Sequence, residues 1–188
     1  MSSHHIVREK QEPALLIMDL QGFSAENLGQ LLEWSPTVLV NESVYEIADS
    51  MGIKIDGLLT WDPNFDVQEH TLLILTDTEP LQDALKYLVG QGYPAVNIID
   101  QTFAMKDYAF FVDHINLVIF NPHQKIFPVK SGFSKWQTAA EKIHILHEVK
   151  HLQTEGLKQL DAHTWMTEKD GFYTLEFDQP YIFIAEEI

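Results

Sequence analysis

Two stretches of the chain carry side chains whose type and spacing suit chemistry. The first is GLLTWDPN (57–64), an apolar run that ends in Thr60, Trp61 and Asp62. In an open α/β sheet the loop after a strand is where ligands are held. Asp62 therefore stands where a metal-binding or catalytic carboxylate would, but beside a bulky Trp61 and Pro63 rather than a glycine and a second acid. The second stretch, KIHILHEVKH (142–151), places His144, His147 and His151 at i, i+3 and i+7. On a helix these would share one face and could hold a transition metal. On a strand His144 and His147 point to opposite faces, and the surrounding Ile143, Ile145 and Leu146 suit a strand at least as well. Asp113-His114 offers an acid–base pair with no third member, and Asp161-Ala162-His163 either a ligand pair or a solvated loop. His4 and His5 read as a metal pair or a frayed terminus. No HExxH, GxSxG, Walker A or dinucleotide glycine fingerprint is present.

The elements that must position these residues change character along the chain. ALLIM (14–18), TVLV (37–40), GLLT (57–60), TLLIL (71–75) and AVNII (95–99) are short apolar runs, the pattern of strands buried on both faces. Between them, Ser24 caps a helix bearing Leu28, Leu31 and Leu32, and 43–51 suits a helix closed by Gly52. Pro80 opens a helix through Leu81, Ala84, Leu85 and Leu88 that ends at Gly90 and Gly92. Strands alternating with helices predict a mostly parallel sheet with helices on both faces. Beyond about residue 115 the pattern becomes one of strands, over 116–120, 125–129, 142–149, 172–177 and 181–185. The expected division is an α/β domain over 1–124 and a β-rich domain over 125–188.

Bulk composition narrows the function classes. The 188 residues include 12 Lys plus Arg and 28 Asp plus Glu, a net charge of −16. That field repels nucleic acid and anionic membranes, so neither is an expected partner, and a nucleoside triphosphate would need a metal ion to offset it. With no cysteine there is neither a disulfide nor a thiol nucleophile. No apolar run reaches membrane-spanning length, and the expectation is a cytoplasmic protein.

Residue order carries a further signal. QLLEWSPTVLV (30–40), GIKIDGLL (52–59), DALKYLVGQGYPAVNII (83–99), KIFPVKSGFSKWQTAAEKIHI (125–145) and TEGLK (154–158) together resemble the framework of thiamine pyrophosphokinases, over nearly the whole chain. The resemblance implies an α/β nucleotide-binding-like domain followed by an antiparallel β-sandwich that is thiamine-binding-like. It implies a homodimer, with thiamine held between one subunit's α/β domain and the other's β domain. It also implies transfer of a pyrophosphoryl group from ATP to thiamine with Mg2+.

The motif residues of that family are largely replaced. Its D-G-A falls on Asn41, Glu42 and Ser43, and its G-D-x-D loop on Thr60, Trp61, Asp62, Pro63 and Asn64. Its T-D falls on Glu79 and Pro80, and its R-x-D-H on Met105, Lys106, Asp107 and Tyr108. Pyrophosphoryl transfer is mostly positioning and charge neutralisation, and Mg2+ needs carboxylate and phosphate oxygens in octahedral array. Loss of the paired acids, the loop glycine and the arginine removes these means together. Trp61 either fills the space where phosphates would lie or packs at a domain or dimer interface. The expectation is a protein that keeps fold and dimer, with kinase catalysis lost or strongly reduced and a residual small-ligand-binding or regulatory role, using no cofactor. The alternative is an active or altered pyrophosphokinase using Mg2+ and ATP. In it Asp62 and Asp107 would be catalytic, Asp62 and Asp77 would hold the metal, helped by Glu42 and Glu79, and Asn41, Glu42, Trp61 and Lys106 would contact the substrate. An unrelated function on a similar fold is a third possibility.

Overall fold

The computed structural model describes residues 12–77 and 79–188; His4 and His5 lie outside them. The chain forms two compact units that divide between Leu117 and Val118. In the N-terminal unit, five strands lie side by side: β1 (Ala14–Ile17), β2 (Val38–Asn41), β3 (Gly57–Thr60), β4 (Leu72–Leu75) and β5 (Ala95–Ile99). Their order is β5-β1-β2-β3-β4, all parallel. The connections run outward from β1 to β4, then return through a helix to β5 on the other side of β1. The crevice between β1 and β5 is thus the topological switch point of the sheet.

Burial explains why these runs become interior strands. Every residue of β1 is buried, and alternate side chains go to alternate faces. Leu15 and Ile17 join Val38, Val40, Leu58 and Ile99 in one core, roofed by Leu28 of α1 (Ala25–Leu32) and by Tyr45 and Ala48 of α2 (Tyr45–Ser50). Leu16, Leu39 and Leu59, equally buried, face the other way. There α3 (Pro80–Gly90) buries Ala84, Leu85 and Leu88 and lies against β3, as right-handed crossovers on either side of a switch point require. The expected punctuation is in place. Ser24 accepts a hydrogen bond from the Asn27 amide at 3.3 Å, and Pro80 takes the first turn of α3. Gly52 has φ 72°, the left-handed conformation that closes α2. The helix expected over 43–51 is shorter, because Glu42–Val44 is a 3-10 turn. A one-turn helix, α4 (Met105–Tyr108), and a 3-10 turn (Ala109–Phe111) follow β5.

Strand β6 (Asn116–Phe120) straddles the division. The C-terminal unit then contributes β7 (Gln124–Val129), β8 (Phe133–Gln137), β9 (Lys142–Ile145), β10 (Gln153–Glu155), β11 (Leu157–Gln159), β12 (Thr164–Thr167), β13 (Gly171–Glu176) and β14 (Ile182–Glu187). Six strands pair antiparallel in the order β11-β12-β9-β14-β7-β6, and a separate three-stranded sheet runs β10-β13-β8. Val129, Ile143, Ile145, Trp165, Tyr173, Leu175 and Ile184 fill the core between them. Glu186 is buried in this unit. Its carboxylate takes Lys135 Nζ at 2.7 and 2.5 Å and Lys125 Nζ at 3.0 Å, and accepts the Tyr173 hydroxyl at 3.2 Å. Burial acts to raise the Glu186 pKa, but the two ammonium groups outweigh it and hold the carboxyl below the usual range. The strand expected over 142–149 stops at Ile145. His144 therefore lies on a strand, while His147 and His151 follow in the loop, off the common helical face that metal binding by these three needs.

Candidate functional site

Because β1 to β5 are parallel, their C-terminal ends share one edge of the N-terminal sheet, the place where ligands bind in such folds. That edge gathers Asp19 after β1, Asn41 and Glu42 at the end of β2, and Thr60 to Asp62 at the end of β3. It also gathers Asp77 beyond β4 and Asp100 beyond β5.

The β2 and β3 ends are bonded to each other. Thr60, wholly buried, donates its hydroxyl hydrogen to Glu42 Oε2 at 2.5 Å, and its Oγ1 accepts the Asp62 amide at 2.9 Å. Asp62 in turn accepts the Asn64 amide on Oδ1 at 2.9 Å, which folds TWDPN into a tight Asx turn. Glu42 is thus tied to the neighbouring strand, and one oxygen of Asp62 is committed to its own loop. Trp61 is 56% exposed. Asn41 Nδ2 donates to Ser43 Oγ at 2.8 Å, and Asn41 Oδ1 is buried with no partner.

The remaining predicted residues lie elsewhere along the edge. Asp77 is exposed; its amide donates to Asp83 Oδ2 at 3.1 Å. Glu79 precedes α3 without a side-chain capping bond. Lys106 and Asp107 lie on α4, where Lys106 is exposed and the Asp107 carbonyl accepts Gln82 Nε2 at 2.6 Å. Among the described residues, no three or more His, Asp or Glu side chains are grouped so as to hold a metal ion. The Thr60 hydroxyl occupies one oxygen of Glu42 and the Asn64 amide one oxygen of Asp62, and Lys106 is the exposed cation of this set.

At the switch point lies a group the motif alignment passed over. Asp19 lies two residues beyond β1 and Asp100 directly follows β5, and the Met18 and Asp19 amides both donate to the Ile99 carbonyl, at 2.9 and 3.3 Å. Burial raises the Asp100 pKa, and Asp19 and Asp107 raise it further against the opposing amides of Thr102 and Gln101. Tyr108, 1% exposed, stacks on Phe103 and leaves its hydroxyl without a partner; burial, then Asp100 and Asp107, push its pKa well up. Thr76 Oγ1, at the β4 end, is also buried and unpartnered. The sequence did hold a signal for Asp19 and Asp100: in ALLIMD and VNIID each acid is the first charge after a buried parallel strand. The edge as a whole concentrates negative potential, which suits a neutral or cationic ligand and opposes a phosphate.

No protein-family model matches the chain, and no curated protein matches it. Solved structures do. Thiamine pyrophosphokinase from Bacillus subtilis superposes with a TM-score of 0.68 at 10% identity, over 93% of this chain and 98% of that one. Thiamin pyrophosphokinase from Candida albicans gives 0.67 at 10% identity, over 94% and 90%. A protein from Lactobacillus plantarum gives 0.67 at 10% identity, over 94% and 98%. At such identity the likeness is one of fold.

Proposed function

We propose that this chain, which has the thiamine pyrophosphokinase fold, is a divergent member of that group without ordinary pyrophosphokinase catalysis. Its N-terminal sheet edge serves as a small-ligand or regulatory site. The observation that carries this is the Thr60 hydroxyl, which joins Glu42 to the Asp62 amide where the fold's enzymes would need free carboxylates. An edge rich in acids and buried, unpartnered polar atoms favours a neutral or cationic compound, and thiamine, a cation, has that chemistry. The chain acts as a homodimer in this proposal. The alternative, an active enzyme with a relocated metal site, has in its favour the mutual influence of Asp19, Asp100 and Asp107.

A thermal-shift titration of the purified chain with thiamine, thiamine diphosphate and Mg-ATP, each alone, separates the two. A ligand at about 100 times its dissociation constant stabilises the fold by about 2.7 kcal/mol. A shift with thiamine and none with Mg-ATP supports the proposal. A shift with Mg-ATP favours the active enzyme.

A further inference from the structure

Strand β4 is the outermost strand of the parallel sheet. It has β3 on one side, and among the described residues no strand lies on its other side. The pattern of its hydrogen bonds fixes what that outer side offers. The Leu72 amide donates to the Asp56 carbonyl and the Thr76 amide to the Thr60 carbonyl, both at 3.0 Å. Successive residues of a strand turn their N–H and C=O groups to opposite sides. Leu72, Ile74 and Thr76 therefore serve the ladder with β3, and Leu73 and Leu75 turn both groups outward. Beyond these two the outer side is closed. The Thr71 amide donates to the Gln68 carbonyl at 3.2 Å, and the Asp77 amide to Asp83 Oδ2 at 3.1 Å. Two residues, with two groups each, suit one short added strand.

The side chains along this side are apolar on both faces. Leu73 packs against the core and Ile74 is 9% exposed, but Leu72 and Leu75 are 49% and 56% exposed. Alternation puts Leu72 on one face of the sheet and Leu75 on the other. Outer strands are commonly blunted by a lysine, a proline or a bulge. TLLIL (71–75) contains neither residue, and its register with β3 is unbroken. An added strand covers both leucines and satisfies the outward groups together.

Charge selects what that strand is. Asp66 and Glu69 precede β4, and Asp77 and Glu79 follow it, all exposed. The lysines that reach these ends are already paired, Lys54 with Asp56 and Lys86 with Asp83 at 3.1 Å, and His70 lies 3.5 Å from Glu69. A second copy, pairing β4 with β4, would bring acids to acids and join two chains of net charge −16. A segment with lysine or arginine on either side of an apolar centre meets the acids instead.

We propose that the outer side of β4 docks an extended segment of a partner protein, about five residues long, apolar at its centre and basic at both flanks. Its backbone bonds to Leu73 and Leu75, and its side chains cover Leu72 and Leu75. This docking is independent of the ligand reading at the strand ends.

The test uses the full chain and a fluorescein-labelled peptide, KRTVIVTRK, read by anisotropy. Comparison peptides are EETVIVTEE, with the same centre and opposite flanks, and KRTPIPTRK, whose prolines lack the amides a ladder needs. The expected result is saturable binding of KRTVIVTRK and at least tenfold weaker binding of both comparisons. With saturating peptide, amide hydrogen exchange slows at least fivefold at Leu73 and Leu75 and changes little at Leu72 and Ile74, which β3 already holds. Leu75→Pro removes an outward N–H without touching the β3 ladder and weakens the peptide at least tenfold. Leu75→Lys, at an exposed position, sets a like charge against the basic flank and weakens it at least threefold. Circular dichroism reports that each variant is folded, and Leu75→Lys carries the test if Leu75→Pro is not. Absence of binding at millimolar chain, equal binding of EETVIVTEE, or exchange that slows without this alternation would each overturn the proposal. So would unchanged affinity in a folded Leu75→Lys variant. Alternating protection that appears when the chain alone is concentrated would overturn it in favour of a second copy.

Discussion

Replacing Thr60 by Val keeps the shape of a wholly buried side chain and removes its hydroxyl. Two hydrogen bonds are lost at once, the donation to Glu42 and the acceptance from the Asp62 amide. A neutral hydrogen bond contributes about 1 kcal/mol net, and one to a charged group about 1.5–3 kcal/mol. Glu42 is only partly buried and regains some water, so the sum is discounted to about 2–3 kcal/mol. For a chain of this length the melting temperature moves about 2–4 °C per kcal/mol, giving a fall of roughly 4–12 °C. Urea unfolding followed by circular dichroism at 222 nm is the assay, since the four helices all belong to the N-terminal unit among the described residues. With a slope of about 2 kcal/mol per molar, the midpoint falls by about 1–1.5 M. A loss below about 0.5 kcal/mol, the range of ordinary surface changes, would mean that the β2 and β3 ends are not bonded through Thr60. The loop after β3 would then be open rather than closed onto Glu42.

Other changes bear on neighbouring points. Asp100→Asn raises the melting temperature at pH 7. Burial, then Asp19 and Asp107, lift the Asp100 pKa in the folded chain, so the folded state binds more protons than the unfolded one in that window. Stability falls as pH rises through it. The variant's advantage therefore vanishes below about pH 3, under the unfolded carboxyl value, as melting curves across pH will show. Glu186→Gln leaves Lys125 and Lys135 without their counter-ion and costs about 2–3 kcal/mol, less than a wholly buried pair because both lysines keep about a third of their exposure. Since the folded Glu186 pKa is lowered, its contribution is present above the unfolded value and is lost as pH falls through the folded one, so wild type and variant converge in acid. Gly156→Ala meets the Phe172 carbonyl oxygen at 2.7 Å in a left-handed conformation. It costs more than about 1 kcal/mol in urea unfolding.

Much of the fold is legible because local and global signals agree. Ser24, Gly52 and Pro80 mark helix ends whose backbone needs those residues, and the apolar runs of β1 to β5 match strands covered on both faces. The short elements are less visible. MKDY (105–108) is one turn with no apolar period and no capping side chain at Ala104. QTE and LKQ (153–159) are too short to alternate, and what separates them into two sheets is the conformation of Gly156. The HILHEV run (144–149) reads as a continuous strand, but tertiary bonds from Gln179 pull residues past Ile145 out of the ladder. At the site, sequence places Glu42, Thr60 and Asp62 at the ends of neighbouring apolar runs. It leaves unsaid that Thr60 joins the other two, a matter of register between β2 and β3. It also leaves Asp19 and Asp100 apart, because β1 and β5 are far apart in sequence and neighbours only through the switch in strand order.

The most direct measurement is of thiamine diphosphate formed by the purified chain from thiamine and Mg-ATP, read as fluorescence after oxidation to the thiochrome form. With Glu42 and the Asp62 loop bonded through Thr60, product should not rise above the enzyme-free rate, and adding excess Mg2+ should not change this. Steady turnover at about 1 per second or faster, within the ordinary range of enzymes, would contradict the closed loop and place a working metal site at this sheet edge.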